Sequence, residues 1–185
     1  MTRSLILAAG AIAALSAGSA AAQSATDTKQ FTVTGNVPAL CSGGTIAGGN
    51  STFNLGVLID VTTGLLRTDL AAPNKTLTGA FCSGQSTITV SATPLTAQNF
   101  TATPPAGFSR AVNYTATASG WTTTAASFAT GSATNPASVQ SRGTAFSGDI
   151  TVGIGTFGTS GGNTLRLVAD TNYVGAVTVT LTAVN

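Results

Sequence analysis

The chain contains no histidine and no glutamate, and its only acidic side chains are five aspartates scattered over 185 residues. Acid–base catalysis by imidazole, a paired-carboxylate site and a His/Asp/Glu metal cluster have almost no raw material here, so no enzymatic activity, metal or cofactor is expected. Charge of either sign is scarce, at 6% of residues. No basic patch is interleaved with aromatics, which removes nucleic acid from the expected partners. The two cysteines, Cys41 and Cys82, have no histidine to activate them, which argues against a thiol nucleophile. No internal repeat of fixed period is evident, which counts against a solenoid or propeller.

What the chain does contain is threonine, serine, alanine, glycine and valine, after a beginning of a different kind. Thr2-Arg3, the apolar run from Leu5 to Leu15 and the small residues Ala20-Ala21-Ala22 have the layout of a secretory signal peptide over 1–22, cleaved before Gln23. The run is shorter than the ~20 apolar residues that a spanning helix needs. The remainder is the size of one domain. It divides into a polar, flexible N-terminal extension at 23–30 and a single β domain at 31–185. Two cysteines in an exported chain most simply form one bridge. Closing the Cys41–Cys82 loop is worth about 4 kcal/mol in the chain-entropy picture.

Alternation of apolar and polar residues predicts strands. Phe31, Val33, Gly35 and Val37 share one face of the first such stretch, with Thr32, Thr34 and Asn36 on the other. Further strands are expected at Phe53–Ile59, Thr76–Cys82, Thr87–Ser91, Val112–Thr117, Asp149–Ile154, Thr164–Val168 and Val177–Ala183. Ser83-Gly84-Gln85 reads as a tight connection, and Val61–Leu70 as a loop with one turn. Near Pro94, Pro104 and Pro105 only Asn99–Thr101 looks extended, and 121–148 shows little periodicity. The last strand is the cleanest, with Val177, Val179, Leu181 and Ala183 on one face and threonines on the other. Many short strands separated by turns and no convincing helix predict an all-β sandwich or barrel.

A signal peptide, a polar extension, an alternating strand leading to Cys41, and Cys82 further on together resemble subunits of chaperone–usher pili. Phe53-Asn54-Leu55-Gly56, Gly79-Ala80-Phe81-Cys82-Ser83-Gly84 and Tyr173-Val174-Gly175-Ala176-Val177-Thr178-Val179-Thr180-Leu181-Thr182 are similar to the spore coat protein U-like family, which includes subunits of the archaic branch of these pili. The resemblance implies an immunoglobulin-like β-sandwich that lacks its final strand and is completed by a donor strand from a neighbouring subunit. It makes Cys41–Cys82 the structural bridge and Phe31, Val33, Gly35 and Val37 the candidates for donor side chains. Val177, Val179 and Leu181 would flank the groove and take the chaperone strand.

The partners so implied are a periplasmic pilus chaperone, an outer-membrane usher and further pilin subunits, in a homopolymer. The chain would pass through the periplasm to a cell-surface pilus with a role in adhesion or biofilm formation. From the residues alone, Phe31–Val37 reads as the ordinary first strand of a self-complete sandwich, and it is the resemblance that sets the donor reading level with it. Such a domain would be secreted to bind carbohydrate or another surface component, with Trp121 and Tyr114 as the available stacking rings.

Overall fold

The computed structural model describes residues 26–184. The expected signal peptide at 1–22 and the cleavage point before Gln23 lie outside the described residues. Two units are distinguished, one ending at Asn36 and a compact body that begins at Val37.

The body is all-β. Its strands are β1 (Cys41–Ser42), β2 (Thr45–Ile46), β3 (Lys75–Cys82), β4 (Ser86–Ala97), β5 (Phe108–Ser109), β6 (Ala111–Ser119), β7 (Ala126–Ala129), β8 (Val139–Arg142), β9 (Phe146–Thr159), β10 (Arg166–Leu167) and β11 (Tyr173–Ala183). Nine of them form one curled sheet in the order β1-β3-β9-β6-β4-β11, with β2 on β3, β7 on β6 and β8 on β4; β5 and β10 pair separately. β4 meets β6 only at Leu95–Thr96, and toward its start β8 takes over the same side. The two strands therefore diverge, and the sheet curls around a common interior.

The interior follows from the alternation. In β6, Val112, Tyr114, Ala116 and Ala118 are buried, and in β4 Ile88 and Val90 are. Many of these side chains are small, so the single tryptophan fills much of the volume. Trp121 is fully buried with its ring centroid 4.2 Å from that of Phe146, and the Trp121 carbonyl accepts a 2.6 Å bond from Arg142 Nη1. Cys41 and Cys82 face each other across the β1–β3 ladder and are joined as a disulfide.

Several expected strands differ from the observed ones. Phe31–Val37 forms no strand, and pairing begins only at Cys41. Ser83 accounts for that starting point. Its hydroxyl accepts from Leu40 N at 2.9 Å and donates to the Pro38 carbonyl at 3.2 Å, while its amide donates to the Leu40 carbonyl at 2.8 Å. Residues 38–40 are thus fixed at the β3–β4 turn, and Pro38 has no N–H to offer a ladder.

The expected strand at Phe53–Ile59 is also absent, apart from an isolated bridge between Ile59 and Leu66. Asn50 Oδ1 accepts from Thr52 N and Asn54 Oδ1 from Gly56 N, at 2.8 and 2.9 Å, and Gly56 has φ +65°. Amides held by their own neighbours' side chains are withdrawn from pairing. The same competition removes Asn99–Thr101, whose first two amides bond to Asp170. The strand predicted at Thr164–Val168 shrinks to β10, because the turn from Thr159 to Leu165 consumes its start. In the opposite direction, β4 runs through Pro94 to Ala97, and the weakly patterned 121–148 region contains β7 and β8.

Candidate functional site

β11 pairs with β4 along its whole length and with no other strand among the described residues. It is the longest uncovered edge of the sheet. Val184 N donates to the Gln85 carbonyl, which fixes the phase of the ladder. In an antiparallel pair the residues that exchange bonds alternate with those that do not. Thr178, Thr180 and Thr182 therefore bond toward β4, whereas Val177, Val179, Leu181 and Ala183 turn their N–H and C=O groups to the free edge.

Those same residues direct their side chains at the core. Val177, Val179 and Leu181 pack against the buried cluster yet remain only half-buried. Their ladder partners show how abruptly the cover ends. Ile88 and Val90, opposite Leu181 and Val179, are 0% and 1% exposed. One strand spacing of ~4.8 Å separates a sealed row from an open one. Unsatisfied backbone and uncovered apolar surface thus lie along one line, over a strand segment about 20 Å long from 177 to 183.

Toward the Tyr173 end the line opens into a groove of about 1130 Å³ between 51–59 and 167–177, floored by Leu95, Tyr114 and Ile154. The 51–59 segment forms the far wall. Sequence reasoning reads Phe53–Ile59 as a strand and so misses the segment as a wall; the signal was the pair of asparagines set two residues before Thr52 and Gly56. The β11–β4 ladder is irregular at Gly175, which lies opposite Pro94 and Leu95 of β4. A Cβ on Gly175 would sit 2.8 Å from the Thr93 carbonyl, so only glycine fits there.

Tyr114 ties the groove floor to the edge strand, its hydroxyl donating to the Ala176 carbonyl at 2.9 Å. Burial raises its pKa. Tyr114→Phe keeps the ring and loses that bond, with an expected cost of about 1 kcal/mol. The denaturant midpoint at unchanged slope measures it.

The start of β11 is held by Asp170. Its carboxylate accepts from the amides of Asn99, Phe100 and Asn172 and from the Asn99 side chain, at 2.7 to 2.8 Å. Desolvation pulls the pKa upward, and the hydrogen bonds outweigh it, holding the group at about 2 against an ordinary 3.8. A carboxyl with a depressed folded pKa stabilises the fold above its unfolded value, and that contribution is lost as pH falls through the folded one. The stability advantage over Asp170→Asn is therefore expected in full at pH 6, shrinking between about pH 4 and pH 2. Chemical denaturation at a series of pH values reads the difference.

The sequence-predicted donor positions are all exposed. Phe31, Val33 and Val37 are 85%, 93% and 82% exposed, and Gly35 is exposed between them. The stacking rings proposed for a sugar are not available, since Trp121 is fully buried and Tyr114 is 4% exposed. The chain matches no family model, no curated protein and no solved structure.

Proposed function

We propose that this chain is the structural subunit of a cell-surface filament, assembled by strand donation between copies. The body is read as an immunoglobulin-like sandwich lacking one strand, and Phe31–Val37 of the next subunit supplies it. The observation that carries this reading is the fall in burial from β4 to β11, along an edge whose backbone groups are free.

The chemistry fits the vacancy. An incoming extended segment satisfies the outward N–H and C=O groups of Val177, Val179 and Leu181, and its alternate side chains cover their flanks. Phe31, Val33, Gly35 and Val37 supply that alternation, while Thr32, Thr34 and Asn36 face outward. An open edge beside uncovered core also aggregates unless protected, which gives a periplasmic chaperone its role before an outer-membrane usher delivers the subunit. A head-to-tail contact that does not close yields a filament, here with a role in adhesion or biofilm formation.

A denaturing gel of material sheared from cells, run unheated and boiled, tests the reading. A ladder spaced by the subunit mass that collapses on boiling is expected. A single monomer band in both lanes, with the protein abundant in the sheared fraction, would sink it.

A further inference from the structure

Five of the exposed large apolar side chains of the body form two groups, one at each end of β11. At the end carrying the β3–β4 turn, Leu40 is 54% and Val184 39% exposed. At the other end Val57 is 60%, Val61 87% and Val174 48% exposed. Val57 and Val61 belong to a hairpin tied by bonds from Asp60 N to Leu65 O, Gly64 N to Asp60 O and Arg67 N to Leu58 O, at 2.7 to 2.9 Å. Asp60 Oδ1 also accepts from the amides of Thr62 and Thr63, and Arg166 Nε from β10 donates to the Thr63 carbonyl. Val61 is thus an apolar tip on a braced support, not a side chain on a loose loop.

We infer that the hairpin end of one copy packs against the Leu40–Val184 end of the next. The inference rests on the groove reading above and adds a second contact to it. Ser83 fixes residues 38–40 at the β3–β4 turn, so the chain preceding them leaves the body at that end. A donor segment running antiparallel to β11, the more stable arrangement, reaches Val37 toward the Tyr173 end, where Val57–Ile59 line the groove mouth. The donating body then follows directly, and its Leu40 and Val184 face the acceptor's Val57 and Val61. A patch of so few side chains falls well short of the ~1,200 Å² of a stable interface. It orients neighbouring subunits, while the strand holds them.

The test uses filaments assembled from the full chain carrying paired cysteines, Val61→Cys with Val184→Cys, treated with a short bismaleimide and boiled. Covalent multimers are expected at a yield several-fold above a control pair, Val139→Cys with Val184→Cys, whose first residue lies on β8 at the side of the body. A heat-labile ladder before treatment, with no more cross-linking than the control, would overturn the end-to-end contact and leave the groove reading intact. Absence of that ladder from the unsubstituted chain would overturn the groove reading and this inference with it. Val61→Asp provides the second measurement, since a side chain 87% exposed can be charged without disturbing the fold. It is expected to keep the ladder while making filaments more flexible in electron micrographs, and unchanged stiffness would count against the contact.

Discussion

Val33→Asp is expected to abolish the heat-labile ladder, whereas Thr32→Asp and Thr34→Asp are expected to leave it in place. The asymmetry follows from the two-residue period. A donor segment that seats Phe31, Val33, Gly35 and Val37 against the open face of β11 buries position 33 over Val179 or Leu181 and leaves 32 and 34 in water. A carboxylate in that position loses its hydration and gains no partner, at a cost of about 3 kcal/mol or more. That is roughly a hundredfold in the exchange equilibrium. The unheated gel reads the outcome directly. Equal effects at 32, 33 and 34 would mean that charge anywhere in the segment is disruptive, and the seating by alternate residues would be wrong. Val33→Asp leaves the body itself untouched, because residue 33 is 93% exposed and the compact unit begins at Val37. A synthetic peptide spanning 31–37 is therefore expected to raise the melting temperature of the Val33→Asp protein.

Cys41→Ala/Cys82→Ala is expected to lose about 4 kcal/mol of stability, from the entropy that the closed loop removes from the unfolded chain. The bridge spans 41 residues and joins the short β1 to the much longer β3. β1 pairs through only Cys41 and Ser42, so without the bridge it is held to the edge of the sheet by that short ladder and by the bonds of Ser83 to Pro38 and Leu40. Urea denaturation of the isolated body, with and without reductant, measures the loss for the unmodified chain as well. A loss under 1 kcal/mol would show that the loop between the cysteines is already constrained in the unfolded state. Because Ser83 neighbours Cys82 and fixes 38–40, the same substitution is also expected to loosen the point from which the preceding segment leaves the body.

The resemblance to pilus subunits rests on the order and spacing of the N-terminal segments, Cys41, Phe53-Asn54-Leu55-Gly56, the stretch around Cys82 and the Thr/Val pattern of the last strand, and no match to a known protein adds to it. The groove itself was only half legible. Val177, Val179 and Leu181 could be assigned to one face from their spacing, and the structure places them on one face, half-buried. The opposite wall was misread, because Phe53-Asn54-Leu55 alternates like a strand while Asn50 and Asn54 turn their amide oxygens back on the backbone. Local side-chain competition of this kind outweighs periodicity over short stretches. The aromatic residues were ambiguous for a different reason. Trp121 looks the same in a sequence whether it lines a sugar site or fills an interior, and only its packing on Phe146 tells the two apart.

The sequence by itself determined that this is an all-β protein with one available disulfide and almost no catalytic side chains. It also determined which residues of the last strand face inward. Composition and the two-residue period suffice for those, since both act through neighbours along the chain. Only the tertiary structure decided that, among the described residues, β11 is an edge, that 51–59 lies across from it without pairing, and that Phe31–Val37 forms no strand. Whether a strand has one partner or two depends on segments far away in sequence, as β4 and β11 do on a register that links residue 86 to residue 183. A period of two says which way a side chain points; it does not say whether anything lies alongside.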